Sequence, residues 1–215
     1  VRNAMQMAID LEAITESFYN GQAEYYTPFV TFVHSDLYQK YNTLPKSVTK
    51  VLHYNPEGAK KLLAEAGYPK GFKTNIVYAL PRDPGIAEIL QAYLADIGVD
   101  AELKGYEWPT FNSIRLGKKH NAFVMHWNWT MPSPTHLLQV FTDPTHQFNL
   151  SAANDPEFNE LVGKLAKEFD KEKRDAMIRR ADNMTIEKSL YISMPHPLRF
   201  NIWHPWLRGY TGESV

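Results

Sequence analysis

The sequence predicts an α/β domain, a layered mixed sheet flanked by helices, and three observations carry that expectation. Strand-like alternation over 73–79, an amphipathic stretch over 84–97 and a second alternating run over 99–106 form a β-α-β unit, the signature of parallel strands joined by a crossover helix. Ala122–Trp127 is a near-continuous apolar run, which suits a central strand buried on both faces. Capping residues followed by proline, at Asn55-Pro56, Asp83-Pro84, Ser133-Pro134 and Asp155-Pro156, mark four helix starts. There the side-chain oxygen accepts an orphan N–H, and proline loses nothing at a position whose N–H has no partner.

The elements follow in order. The opening residues read as two helices, roughly 2–9 and 11–19, the second begun by Asp10 and ended by Asn20-Gly21. Residues 22–54 are the least regular stretch, rich in aromatics between Tyr25 and Tyr38, and read as a long ordered loop or arm. A short helix runs from Asn55 to Ala66 and closes at Gly67. After the β-α-β unit, with Ile86, Leu90 and Leu94 on one helix face and Gly98 as its stop, come the apolar strand and the helix started by Ser133. Phe158, Leu161, Val162, Leu165 and Phe169 share one face of the next helix, and 172–188 form another through Met177, Ile178, Ala181 and Met184. Tyr191–Met194 and Phe200–Trp203 are expected as a late strand pair.

With 215 residues, 44% of them apolar, the chain can bury a core of one large domain or two small ones. Its net charge of −1 argues against a general nucleic-acid binder, which needs a basic field. No apolar run approaches the length that spans a membrane. The absence of cysteine excludes disulfides, thiol catalysis and Cys-ligated zinc. The chain starts at Val1, already in helical spacing, and reads as an excised domain.

Neither phosphate-binding glycine motifs nor GxSxG or HExxH are present. The 8 histidines are scattered, and His126 and His136 lack acidic partners at ligand spacing, so neither a metal nor a cofactor is expected. Asn128, Asn149 and Asn183 each open an N-glycosylation tripeptide, a pattern that chance supplies easily. The informative stretch is His126 to Pro134, HWNWTMPSP, which leaves the most apolar strand and enters a capped helix. Ligands of open α/β sheets bind outside the carboxyl ends of the strands. Trp127 and Trp129 offer flat apolar faces there, and Asn128 and Thr130 offer hydrogen bonds. Tyr26 and Phe29 of the aromatic arm, and His196 and Arg199 near the late pair, are candidates for the same face.

At these residues the chain resembles the C-terminal lobe of the family 5 extracellular solute-binding proteins, the oligopeptide-, dipeptide- and nickel-binding receptors of bacterial ABC importers. The resemblance runs through VRNAMQMAID at 1–10, NPEGAKKLLAEAGY at 55–68, LADIGV at 94–99 with Glu107-Trp108, NDPEF at 154–158 and WLRGYTG at 206–212. It implies a type II periplasmic-binding-protein-like lobe of a two-lobed, hinged receptor that closes on its solute and docks on a permease. It also implies a periplasmic or cell-surface location. Peptide-binding members carry a Trp, three positions later an Asp that pairs with the peptide's α-amino group, and a Pro four positions beyond. In this sequence those places hold Trp127, Thr130 and Pro134. A neutral hydroxyl is a weaker partner than a carboxylate for an ammonium group, so a sugar-like or other neutral polar solute stands beside a peptide as the expected ligand. Two other readings compete with the receptor lobe: a small α/β hydrolase, which needs a nucleophile beside a base, and an interaction domain without a ligand.

Overall fold

Local capping explains where most helices begin. Asn55 accepts from the Gly58 N–H at 2.8 Å, Ser133 from His136 at 3.3 Å and Asp155 from Phe158 at 2.9 Å, each ahead of a proline in the first turn. Asp10 and Asp170 cap two further helices in the same way. The structure, a computed structural model, describes residues 1–24, 36–81, 84–121, 123–125, 133–198, 200, 202–204 and 206–209. Asp83, the remaining cap expected from the sequence, lies outside the described residues.

The chain opens with α1 (Arg2–Met7) and α2 (Leu11–Ser17), and Asn20 and Gly21 stop the second in the left-handed region, as their sequence predicts. The expected irregular arm holds more order than its composition suggested. A short strand, β1 (Ala23–Glu24), is followed after residues 25–35 by α3 (Lys46–Leu52), which buries Val48, Val51 and Leu52. Pro45 precedes α3 without a side-chain cap, so the start of that helix had no local signature.

Next come α4 (Pro56–Glu65), β2 (Phe72–Leu80), α5 (Pro84–Asp96) and β3 (Val99–Glu107). The two strands are parallel, with Phe72 beside Val99 and Leu80 beside Glu107. They enter the sheet through a glycine contact: a Cβ on Gly71 would stand 1.7 Å from the Gly98 carbonyl oxygen, and both glycines have positive φ. The helix α6 (Trp108–Leu116) follows β3 without a break, and then comes β4 (Phe123–Val124), parallel to β2.

The described strands run in the order β3-β2-β4. This corrects the expectation that 122–127 is the central strand. Among the described residues β2 is central and β4 lies at the edge, while 122, 126 and 127 are not described. The apolar run has another cause. Phe123 packs toward the α1–α5 side, and Val124 packs toward Val77, Ala79 and Phe111 on the α6 side. Both faces of the sheet are covered, so alternation is lost even at an edge.

The chain finishes with α7 (Pro134–Val140), α8 (Pro156–Leu165), α9 (Lys171–Glu187) and β5 (His196–Pro197). Leu138, Phe158, Val162, Ile178 and Met184 make a helical core separate from the sheet, whereas Phe169, expected on the same face as Phe158, lies past the end of α8 and is exposed. Ile186 of α9 reaches the α1–α5 core, so this helix joins the two. Among the described residues, 191–194 do not pair with 200, 202 or 203 as predicted. The backbone of Ser193 is taken by the buried Gln6 side chain, which accepts its N–H at 2.6 Å and donates to its carbonyl at 3.1 Å. Instead β5 pairs antiparallel with β1, while Phe200 and Ile202 stand exposed.

Two of the glycosylation tripeptides are structural. Asn149 is fully buried, donates to the Asp143 and Ala153 carbonyls and accepts from the Ala153 N–H. Asn183 is buried in α9.

Candidate functional site

Because β2, β3 and β4 are parallel, their carboxyl ends lie along one edge of the sheet. At the end of β2 the chain passes Pro81 and re-enters at Pro84-Gly85, the start of α5. There the Phe18 ring leans on Gly85 so closely that an added Cβ would meet it at 3.2 Å. Phe18 packs edge-on to Tyr19 and remains largely exposed. At the end of β3 the chain turns directly into α6, placing Trp108 at the rim with 49% of its surface exposed. At the end of β4 the ladder continues one residue, the Met125 N–H donating to the Val77 carbonyl at 2.8 Å. From Met125 the chain enters 126–132 and returns at Ser133, the cap of α7.

Trp127, Asn128, Trp129 and Thr130 therefore fall between two anchored points, and they themselves lie outside the described residues. Tyr26, Phe29 and Arg199 also lie outside them. The stems of these last segments do meet: Glu24 pairs with His196, and the Leu198 N–H donates to the Gln22 carbonyl at 2.8 Å. His196, the one described candidate, is half-buried in that ribbon.

Sequence reasoning missed Trp108, Arg115 and Phe18 as residues of this edge. Arg115 is nearly fully buried, and its guanidinium lies 5.4 Å from the Trp108 ring centre and 5.8 Å from that of Phe111. Its Nε donates to Asn112 at 2.8 Å. Burial lowers the Arg115 pKa from its ordinary value, and a guanidinium stays charged through such a change. The cation packs against the Trp108 ring, about half of which stays exposed. The available signal was the spacing of Trp108, Phe111 and Arg115, one helix face directly after a strand. Among the described residues no group of three or more His, Asp and Glu side chains could hold a metal, and no helix is long and apolar enough to cross a membrane.

The family model described as "Bacterial extracellular solute-binding proteins, family 5 Middle" matches residues 1–149. The chain belongs to this family. Among the relatives of this family 5 chain, heme-binding protein A of Haemophilus influenzae is 28% identical across 98% of the chain and 39% of its own length. The dipeptide-binding protein of Escherichia coli is 26% identical across 100% of the chain and 40% of its own length. An ABC transporter-associated periplasmic binding protein of Helicobacter pylori, solved in complex with the peptide STSA, superposes with a TM-score of 0.77 at 28% identity, covering 91% of the chain and 38% of that protein. The family 5 chain thus spans about two fifths of the length of these proteins, which are named as binding proteins, not enzymes.

Proposed function

We propose that the chain is the C-terminal ligand-binding lobe of a two-lobed receptor of an ABC importer. In this reading it holds a small polar organic solute, a peptide, a sugar-like compound or another, in a cleft shared with an N-terminal lobe. It acts in the periplasm or at the cell surface, delivers the solute to a membrane permease, and carries out no catalysis of its own. The observation that carries the reading is the sheet edge. There β4 leads directly into the stretch bearing Trp127 and Trp129, and β3 presents the exposed Trp108 two strands away, about 10 Å by strand spacing. Aromatic faces with a few hydrogen-bonding groups at strand ends suit a small organic ligand. The names of the relatives, which include heme, dipeptide and peptide binders, support the solute-binding role and span several ligand classes.

Thr130 narrows the choice. At the position where peptide-binding members of the family hold a carboxylate, a hydroxyl gives a free α-amino group no ion pair. The test is mass spectrometry of the solute co-purified with the full-length receptor, followed by calorimetry with a peptide and its N-acetylated form. Similar affinity for the two forms is expected. Tight binding of the free peptide that acetylation abolishes would show that another acidic group holds the amine, and recovery of a covalently altered solute would overturn the non-catalytic reading.

A further inference from the structure

The connector between α6 and β4 is fastened to the helical half of the molecule by two residues. Lys118 has φ of +51°, a left-handed conformation costly for a side-chain-bearing residue, and from it the Nζ donates to the Pro144 carbonyl. Two residues on, both ring nitrogens of His120 are shielded from solvent, and neither makes a hydrogen bond among the described residues.

The opposing surface, residues 141–153, is cross-tied by hydrogen bonds. The buried Asn149 amide ties Asp143 to Ala153. The Tyr191 hydroxyl accepts from the Leu150 N–H at 3.1 Å and donates to the Phe148 carbonyl at 3.3 Å. Arg2 donates to the Ser151 carbonyl at 3.2 Å.

We propose that His120 is a pH-sensitive latch: protonation of its imidazole unseats the connector from the 141–153 loop and loosens β4 at the sheet edge. Among the described residues the charged neighbour of the ring is Lys118 on its own connector, which would face a second cation. From the loop, the Leu150 backbone approaches the ring without reaching hydrogen-bond geometry. On the loop, Asp143 accepts from the Thr145 N–H and hydroxyl, and the His146 Nδ1 accepts from the Phe148 N–H. Tyr191 and Arg2 are held by the loop's backbone as described.

Desolvation holds the His120 pKa below its ordinary value; the Leu150 backbone opposes that and Lys118 reinforces it. The direction follows. Stability contributed by neutral His120 is full above the unfolded value of about 6.5 and is lost as pH falls toward the lower native value. Weaker retention of a solute at this edge on acidification is a consequence that rests on the proposed function; the latch itself is tested without any solute.

The experiment is hydrogen exchange of the chain at pH 7.5 and 5.5, corrected for the chemical exchange rate. In wild type, opening of the 118–125 amides should rise at least about fivefold at the lower pH, while Val162 and Ile178 in the helical core stay protected. In His120→Gln the 118–125 amides should respond little. An unchanged wild type, or an equal response in the variant, overturns the latch. If the variant does not fold, the NMR titration of the His120 ring in wild type decides: a midpoint below about 6.5 supports the latch and one at or above it overturns it.

Discussion

The carboxyl edge of the sheet and the α8–α9 pair treat their surface groups in opposite ways. Around α8 and α9, several charged groups are matched within the chain. Lys188 donates to both oxygens of Asp155 at 2.7 and 2.8 Å and to Glu157 at 2.9 Å, and Arg180 binds Glu187 at 2.7 Å. Ser47 donates to the other oxygen of Glu187, tying α3 to the same set. At the sheet edge, Phe18 and Trp108 are held from below by Gly85 and Arg115 and left open above. The difference teaches where stability and binding are divided. A surface that satisfies itself contributes to folding, and one that exposes rigid aromatic faces is prepared for something from outside.

Substitutions can break or sharpen this division. The largest effect should come from Phe158→Ala in the helical core, where the side chain is fully buried. A loss of about 3–5 kcal/mol in denaturant unfolding is expected, with solute affinity of whatever stays folded unchanged. At the sheet edge, Trp108→Ala should do the reverse. In the full receptor, calorimetry with its co-purified solute should show affinity falling about tenfold or more, while unfolding of this lobe shifts by under about 1 kcal/mol. A large stability loss without an affinity loss would make Trp108 a core residue and erase the contrast.

Asp155 measures how much the self-satisfied surface contributes. Asp155→Ala removes the α8 cap and the Lys188 pair together and should cost about 1–2 kcal/mol. Asp155→Asn keeps a cap and should recover most of that. Hydrogen bonding from Lys188, aided by the Phe158 N–H and opposed by burial, lowers the Asp155 pKa. Its contribution is therefore present above the unfolded value of about 3.9 and lost as pH falls toward the native value. Acid unfolding of Asp155→Asn should lack that component. The smallest effect is expected at Gly163 on α8, where an added Cβ meets nothing. Gly163→Ala should stabilise the chain by about 0.5–1 kcal/mol in thermal unfolding, with no change in binding.

What was legible in the sequence follows the same physics. Asn55, Ser133 and Asp155 announced their helices because cap and helix lie within three residues of each other. The β-α-β unit was legible from its alternation and from Gly98. The helix α6 was not, because Glu107 leads into it without a side-chain cap and β3 runs into Trp108 with no intervening turn. The late strand pair was misread because the partner of Ser193 is Gln6, and no local pattern reports a contact across that separation. At the candidate site, the apolar strand pointed to Trp127–Thr130, which lie outside the described residues, between Met125 and Ser133. Trp108 and Phe18 escaped notice because an aromatic residue in a sequence looks the same whether it fills a core or stands at a rim; only the fold separates the two.

The contact between Gln6 and Ser193 has a consequence for the order of events on the ribosome. Its partners lie 187 positions apart. Nearby, Asn3 waits for the Glu187 carbonyl, and β1 for β5. At about 5–20 residues per second, roughly 10–40 seconds of translation separate the emergence of α1 from that of the residues that satisfy it. During that interval the Gln6 amide and the edge of β1 lack their native partners. The sheet and α5, built from neighbours in sequence, can form in the meantime. The helix α1 is thus among the last elements of this lobe to be secured, and a ribosome stalled before residue 193 would hold a formed sheet beside a loose α1.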